Sequence, residues 1–378
     1  MTAISERVSE PTEQQASKRV SQSVFDGSRL RVILLVDVCD GAQQQFLEAY
    51  EQMGKQVSAV PGHVSDQLCQ SIENPSQWLI TSEWESAPPF LAWVNSEEHV
   101  RMVQPMHSCI RDTRSLRFHI VRETGGGRQD SGDRQLQISP RIGDGVIRHA
   151  LTFTVKPGSE AKVAELLANY EAPEARVDDT TRLLRTSLFM HGNRVVRAIE
   201  VRGDLLAALR HVARQPGIRA VEEAINPYLE QDRDLNDQES ARVFFTRAAL
   251  PAVHHVTTGQ EDERVERHAL YYPARQGQGM KLAELLSRAD ERAADDPASP
   301  VLRSTVFERD DVVVRLIDIR GALESDPAAA LGIQDSAQVA ELTTLLGEGA
   351  AKKDGDLSRL LTLARMDLIT DRRSAPDA

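Results

Sequence analysis

The alternation of apolar and polar residues along the chain predicts a series of short strands and amphipathic helices. The first clear strand is "LRVILLVDV", residues 30–38, which is rich in β-branched residues and is ended by "CDG". In the segment that follows, Phe46, Tyr50 and Met53 recur at spacings of four and three, which is typical of a helix that buries one face.

The same pattern continues to residue 123. "PGH" at 61–63 breaks the chain, and "VSDQLCQSI" and "QWLITSEW" (77–84) are strand candidates separated by "NPS". Ser86 can cap a helix over "PPFLAWV", and "SLRFHIVRE" (115–123) is the last strand. The order βαββαβ predicts a ferredoxin-like α+β unit.

The rest of the chain contains an internal repeat. "RHALTFTV" at 148–155 returns as "RHALYYPA" at 267–274, and residues 183–205 match residues 301–323 at ten of 23 positions. Self-similarity of this kind marks repeated structural units. Each copy again reads βαββαβ, with its final strand expected at 242–250 and at 361–369. Glu83, Glu200 and Asp318 fall at equivalent places, so we expect three ferredoxin-like units of the dimeric α/β-barrel type in tandem.

The predicted domain boundaries follow from this pattern. They are a disordered tail at 1–28, a first unit at 29–123, a Gly-rich linker at 124–146, units at 147–250 and 266–370, and a tail at 371–378. A ferredoxin-like sheet has one face covered by helices and one bare face that another sheet must bury. Two units can pack sheet to sheet within the chain. The third needs a partner, and a homodimer would supply one.

Composition and charge narrow the function classes. The formal charge of −12 and the pI near 5.4 argue against a nucleic-acid partner. No apolar run approaches the roughly 18 residues that span a bilayer, and residues 1–20 lack the apolar core of a signal peptide, so we expect a cytoplasmic protein without a membrane partner. The three cysteines and the histidines show no metal-binding spacing, and no nucleotide-binding motif occurs, so no metal or cofactor is expected.

Histidines are the first candidates for proton transfer because they titrate near neutral pH. For any one of them a structural role is the commoner outcome. The candidates are His63, His99 and His107 in the first unit and His149 in the second.

Two further residue types suggest a site for an aromatic ligand. Arg197 lies on the opposite face of its strand from Glu200 and Arg202, and Arg315 has the equivalent position in the other repeat. An unpaired arginine in the interior would suggest a bound anion or phenolate. Trp78 and Trp84 share one face of a strand, where they serve either as core or as the wall of a pocket for a flat ring.

At "RVILLVDV", Pro61-Gly62 and Trp84-Glu85-Ser86, residues 29–123 resemble the antibiotic biosynthesis monooxygenase family. The resemblance implies a ferredoxin-like dimeric α/β barrel. Members of that family that form quinones oxidise phenols or anthrones with dioxygen and without a cofactor. The resemblance implies the same chemistry here, with Trp84 in the place of the tryptophan that those members use. The asparagine and tyrosine of the family pattern are replaced here by Ile80 and Phe90.

From "RHALTFTVKPG" through "NRVVRAIEVRGD" to "HVARQPGIRAVEEAINPYLEQDRDL", residues 147–250 closely resemble the SchA/CurD-like family. Residues 266–370 look like a diverged copy. That family occurs in bacterial gene clusters for aromatic polyketides and spore pigments. The resemblance therefore implies a role in tailoring or cyclising an aromatic polyketide.

Three hypotheses follow. The first is a cofactor-independent monooxygenase that acts on a polycyclic phenol or anthrone with dioxygen. Trp84 would line its pocket, and His63, His99 or His107 would serve as base; otherwise the site lies around His149 and Arg197. The second is a polyketide cyclase on the same fold. The third is a non-catalytic polyketide-binding or scaffold protein, which Ile80 and Phe90 favour.

Overall fold

The structure of the protein is a computed structural model. It describes residues 19–123, 143–260, 264–333, 335–347 and 356–374. It contains a first unit with its own four-stranded sheet, which packs against a larger barrel built from the two repeats. Within these ranges no helix combines the length and apolar character needed to cross a membrane.

The first unit is a four-stranded antiparallel sheet with helices on one face. It is preceded by a short strand, β1 (Val20–Ser23). Its elements are β2 (Leu30–Val38), α1 (Gln43–Val57), β3 (His63–Gln70), β4 (Gln77–Trp84), α2 (Ala87–Val94), α3 (Glu97–His107) and β5 (Ile110–His119). The strand order β3-β4-β2-β5 is that of a ferredoxin-like fold, which confirms the predicted fold class.

The two repeats have matching elements. The first repeat comprises β6 (Val146–Thr154), α4 (Glu160–Ala168), β7 (Arg182–His191), β8 (Arg194–Arg202), α5 (Leu205–Arg214), α6 (Pro216–Ile225), α7 (Gln238–Ala248) and β9 (Ala249–Thr257). The second comprises β10 (Val265–Pro273), α8 (Gly279–Asp295), β11 (Val301–Arg309), β12 (Val312–Arg320), α9 (Pro327–Leu331), α10 (Ser336–Leu345), α11 (Leu357–Ala364) and β13 (Asp367–Arg373).

The repeats share one nine-stranded sheet in the order β10-β12-β11-β9-β6-β8-β7-β13, with β1 added beside β9. Each repeat lends its last strand to the other, because β9 pairs with both β6 and β11 and β13 pairs with β7. A bridge between Leu270 and Arg365 brings the two ends of the sheet together. The inward faces form a common core that includes Ala150, Phe189 and Phe307. The repeats thus bury each other's bare faces.

Both predicted final strands of the repeats were wrong. Residues 242–248 belong to α7, and the strand runs from Ala249 to Thr257. Phe244 and Ala248 are buried together in the core under the helices. Their spacing of four residues is typical of a helix, but the apolar residues on either side obscured this pattern in the sequence. In the second repeat, α11 ends at Ala364 and β13 begins at Asp367.

Three other boundaries differ from the prediction. Residues 20–23 of the expected tail form β1, because their backbone pairs with residues 254–257 of β9. Residue 146 of the expected linker begins β6, and residues 124–142 lie outside the described residues. The last strand of the first unit is 110–119 and not 115–123, and the side chain of Ser86 makes no capping hydrogen bond at α2.

A buried carboxyl group near the β11–β12 hairpin gives a prediction about stability. Glu308 is 4% exposed, and burial together with Asp310 and Asp311 raises its pKa to about 8. The folded protein therefore keeps a proton that the unfolded chain releases above its ordinary pKa of 4.5, and stability falls as pH rises from 4.5 to 8. We expect Glu308→Gln to remove this cost, about 3 kcal/mol at pH 7.

Thermal unfolding of Glu308→Gln and of the wild type across pH 5 to 9 measures the effect. The gain in Tm should grow with pH up to about 8. Glu98→Gln, at an exposed position, is the control and should leave the Tm unchanged at every pH. A gain that is the same at pH 5 and pH 8 would contradict the assignment of a protonated Glu308.

Candidate active site

The first unit contains a group of aromatic rings in mutual contact between its sheet and its helices, made of His63, Trp84, Phe90, Trp93 and His99. We call it the aromatic cluster. Trp84 is fully buried at its centre, with ring centroids 5.2 Å from His63, 5.4 Å from Phe90 and 5.4 Å from Trp93. The Trp93 ring packs against the ring of His99 at 4.5 Å. The cluster therefore brings together three of the residues selected from the sequence.

Local structure explains why these side chains meet. His63 begins β3 and Trp84 ends β4, and the two residues are paired across the strands, so their side chains lie on the same face of the sheet. Phe90 and Trp93 are three residues apart on α2, which places both on the side that covers Trp84. Ser96 caps α3 by accepting a hydrogen bond from the His99 backbone N–H at 3.1 Å.

Several polar atoms in and beside the cluster are buried with no hydrogen-bond partner in the part of the chain that the structure describes. They are His63 Nε2, Trp93 Nε1 and Asn95 Nδ2. The nearest carboxylate oxygen to His63 Nε2 is Asp66 Oδ1 at 3.5 Å, and Asp66 already accepts a hydrogen bond from the Tyr50 hydroxyl at 2.5 Å. An unpaired buried polar group costs about 1–3 kcal/mol, which a hydroxylated ligand could recover.

Arg117 is a member of this site that the sequence reasoning missed. Its guanidinium carbon lies 5.4 Å from the centroid of the Phe90 ring. Arg117 on β5 is directly opposite Val32 on β2, and Val32 is buried, so both side chains lie on the helix-covered face. Only the register between β2 and β5 indicates that Arg117 lies on this face. The sequence of β5 is mostly polar and does not show which of its faces the helices cover.

His99 and His149 are both held in the neutral form. Burial, together with the positive charges of Arg309 and Arg117, lowers the pKa of each to about 4. Arg117 belongs to the first unit, His149 to the first repeat and Arg309 to the second. Arg309 also donates to the backbone carbonyl of Ala249 at 3.3 Å. Trp84 packs in one core cluster with Val253 of β9 and Leu282 of α8, so the site lies where all three units meet.

The other two sequence candidates lie elsewhere. His107 is at the end of α3, eight residues beyond His99 and about 12 Å along the helix, with Nδ1 3.2 Å from Arg242 Nη2. Arg197 faces α6 in the core of the first repeat, where it donates to Glu222 Oε1 at 2.7 Å, and Arg233 donates to Glu222 Oε2 at 2.7 Å. Arg197 is therefore ion-paired, while its Nε and Nη2 are buried with no hydrogen-bond partner among the described residues.

Comparison with known proteins agrees with both resemblances. The sequence profile of the SchA/CurD-like domain matches residues 146–258, and this match ends one residue after β9. The profile of the antibiotic biosynthesis monooxygenase domain matches residues 29–105. A protein of Streptomyces cyaneus named polyketide synthase CurD is 63% identical over 367 residues, covering 95% of this chain and 99% of that protein. The chain belongs to the SchA/CurD family.

Other SchA/CurD relatives have similar coverage. A 42.8 kDa protein in the whiE locus of Streptomyces coelicolor is 60% identical, covering 94% of this chain and 91% of that protein. Protein SchA of Streptomyces halstedii is 58% identical, with 94% and 96% covered. Among solved structures, SnoaB, a cofactor-independent oxygenase from Streptomyces nogalater, is 12% identical. The match covers 28% of this chain and 99% of that chain, with a TM-score of 0.23. The family assignment rests on the sequence relatives alone.

Proposed function

We propose that the chain is a tailoring enzyme of aromatic polyketide biosynthesis, a cofactor-independent monooxygenase that converts a polycyclic phenol or anthrone into a quinone with dioxygen. The observation that carries this proposal is the aromatic cluster with its unpartnered His63 and Trp93 nitrogens. It lies inside the region that matches the monooxygenase domain. The names of the SchA/CurD relatives, one of which is called a polyketide synthase, support the substrate class.

The proposed reaction needs little from the protein beyond a base, a dry pocket and a cation. Loss of a proton from an anthrone gives an electron-rich carbanion that can pass an electron to dioxygen. One oxygen atom then enters the carbon as the quinone carbonyl and the other leaves as water, so that anthrone and dioxygen give quinone and water. Exclusion of water and stabilisation of the developing oxyanion lower the barrier.

His63 is the proposed base. Its side chain is 5% exposed, and a proton gained by the ring would be stabilised by Asp66 Oδ1, 3.5 Å from Nε2. His99 suits this role less well because burial, together with the nearby arginines, lowers its pKa to about 4. The carboxylate of Asp66 is fixed by Tyr50, which would keep the ion pair in place.

The remaining residues would position the substrate. The half-buried Trp93 would provide a flat apolar surface on which a polycyclic ring can stack, and its N–H would donate to a ring oxygen. Phe90 is 3% exposed and would support the Trp93 ring. Arg117, next to Phe90, would stabilise the phenolate, which is the role that the sequence assigned to Arg197. Trp84 is fully buried and would hold His63 and Trp93 in position.

The test is dioxygen consumption by the purified, metal-free full-length protein when an anthrone is added, followed by mass spectrometry of the product. Uptake of one dioxygen per quinone formed supports the monooxygenase. An altered cyclisation pattern of a poly-β-ketone without oxygen uptake would instead assign a cyclase. Neither effect, with saturable binding of the anthrone, would leave a binding role.

The homodimer expected from the sequence is also a proposal. The bare face of the first sheet exposes Leu35 (43%) and Phe118 (48%), and the equivalent faces of the two repeats bury each other within the barrel. We infer that a second copy of the chain covers this face. Phe118→Glu should convert a dimer into a monomer in light scattering, whereas Leu363→Glu, at an equally exposed apolar residue on α11, should not. A wild type that is monomeric at 100 μM would rule the dimer out.

A further inference from the structure

One end of the barrel interior is lined by charged side chains from both repeats. Asp318 accepts hydrogen bonds from Arg267 at 2.7 and 3.1 Å and from Arg185 at 3.2 Å. Arg267 also contacts Glu200 Oε1 at 2.8 Å. These groups are almost completely buried, apart from Glu200, whose side chain is 15% exposed. We call them the charged layer.

The internal duplication gives each member of the layer an equivalent in the other repeat. Arg185 corresponds to Arg303 and Ser187 to Thr305, both at an offset of 118 residues. The last strands correspond as well, because β13 places Asp371 opposite Ser187 and β9 places His255 opposite Thr305. The two halves can therefore be compared position by position.

In the first half the charges are balanced. Asp371 accepts two hydrogen bonds from Arg185, at 2.8 and 2.5 Å, and a third from the Ser187 hydroxyl at 2.8 Å. This is the bidentate geometry that a planar carboxylate makes with a guanidinium. We call the pair Arg185 and Ser187 a half-site. The carboxylate of Asp371, which belongs to the chain itself, fills it.

In the second half the carboxylate is missing. Its position is taken by His255, which is 4% exposed, has Nδ1 2.9 Å from Thr305 Oγ1 and has no partner for Nε2. Burial lowers the pKa of His255 well below 6.5, so the ring is neutral. The closest carboxylate oxygen to Arg303 among the described residues is that of Asp318 at 4.0 Å, and Asp318 is already bonded to two other arginines.

We propose that this half-site binds the carboxylate group of an organic acid, which lies beside His255 and balances the charge of Arg303 as Asp371 balances that of Arg185 in the other half. The ligand carboxylate would accept hydrogen bonds from Arg303 and from His255 Nε2–H, with the Thr305 hydroxyl donating to Nδ1. The Arg303 side chain is 40% exposed, so the arginine can be reached from solvent, whereas His255 Nε2 lies buried beside it. This site lies inside the barrel of the repeats and does not depend on the proposed oxygenase reaction.

Calorimetric titration of the full-length protein with sodium benzoate at constant ionic strength tests the proposal, with benzamide as the uncharged control. We expect saturable binding of benzoate and none of benzamide. Arg303→Gln should weaken benzoate binding about tenfold or more. Arg288→Gln, on an exposed arginine of α8 paired with Glu284, is the matched control and should bind as the wild type does.

His255→Asp is the most specific variant, because it restores the carboxylate that the other half possesses. We expect it to fill the site itself, so that benzoate no longer binds and the Tm without ligand does not fall. If this variant fails to fold, Arg303→Gln decides. The proposal is overturned if the wild type shows no saturable binding up to 10 mM benzoate, or if binding persists in Arg303→Gln or in folded His255→Asp.

Discussion

Replacing His63 by alanine is expected to lower kcat for anthrone oxidation by about 10²- to 10⁴-fold with little change in KM, because the loss removes the base and leaves the aromatic surfaces in place. His63 is the histidine of the aromatic cluster that has a carboxylate, Asp66, close to a buried ring nitrogen. The measurement is steady-state dioxygen consumption across a range of anthrone concentrations.

The matched control is His107→Ala, which removes a histidine of the same unit outside the cluster. It should leave kcat within about twofold of the wild type. Asp66→Asn should give an intermediate loss, since it removes the charge that stabilises the protonated ring while keeping the shape. Equal losses in His63→Ala and His107→Ala would show that His63 has no special role.

Replacing Arg315 by methionine should produce the largest loss of stability, about 3–5 kcal/mol. Arg315 and Asp290 are both fully buried, and the arginine donates to Asp290 Oδ1 at 2.9 and 2.5 Å. Burial opposes the charge of Arg315, but Asp290 outweighs this and raises its pKa above the ordinary value. The single variant leaves Asp290 as an unpaired buried charge, which is the costly state.

Chemical denaturation of the single and double variants measures this effect. Arg315→Met combined with Asp290→Leu should recover most of the lost free energy of unfolding, because both charges are then absent. Arg288→Met, which breaks an exposed pair, should change it by no more than about 0.5 kcal/mol. A double variant no more stable than Arg315→Met would contradict the explanation.

The sequence was sufficient for the βαββαβ order of the first unit and for the duplication, because strand alternation and repeat spacing are local properties. It missed α3 and placed the last strand of the first unit five residues too late. It failed at β9, where Pro251 interrupts the apolar run and the adjacent helix α7 carries the stronger apolar pattern. The exchange of β9 and β13 between the repeats could not be read from either repeat alone. It depends on two sheets closing on each other.

The candidate site was predictable only in part. Trp84 and the histidines were identified by residue type, but which histidine lies beside Trp84 depends on strand register. Arg197 is conspicuous in the sequence because it is matched by Arg315, and this match reflects two equivalent core ion pairs, with Glu222 and Asp290. Glu222 lies 25 residues after Arg197 and Asp290 lies 25 residues before Arg315, each on a helix. No local sequence pattern indicates a partner at that distance.

The most direct test of the central claim is oxidation of an anthrone under ¹⁸O₂ by the metal-free protein, with the quinone analysed by mass spectrometry after short reaction times. A monooxygenase site at the aromatic cluster should give one ¹⁸O atom in each enzymatic quinone and product formation that depends on His63. Quinone without ¹⁸O, or formed at the same rate by His63→Ala, would contradict a monooxygenase site at the aromatic cluster.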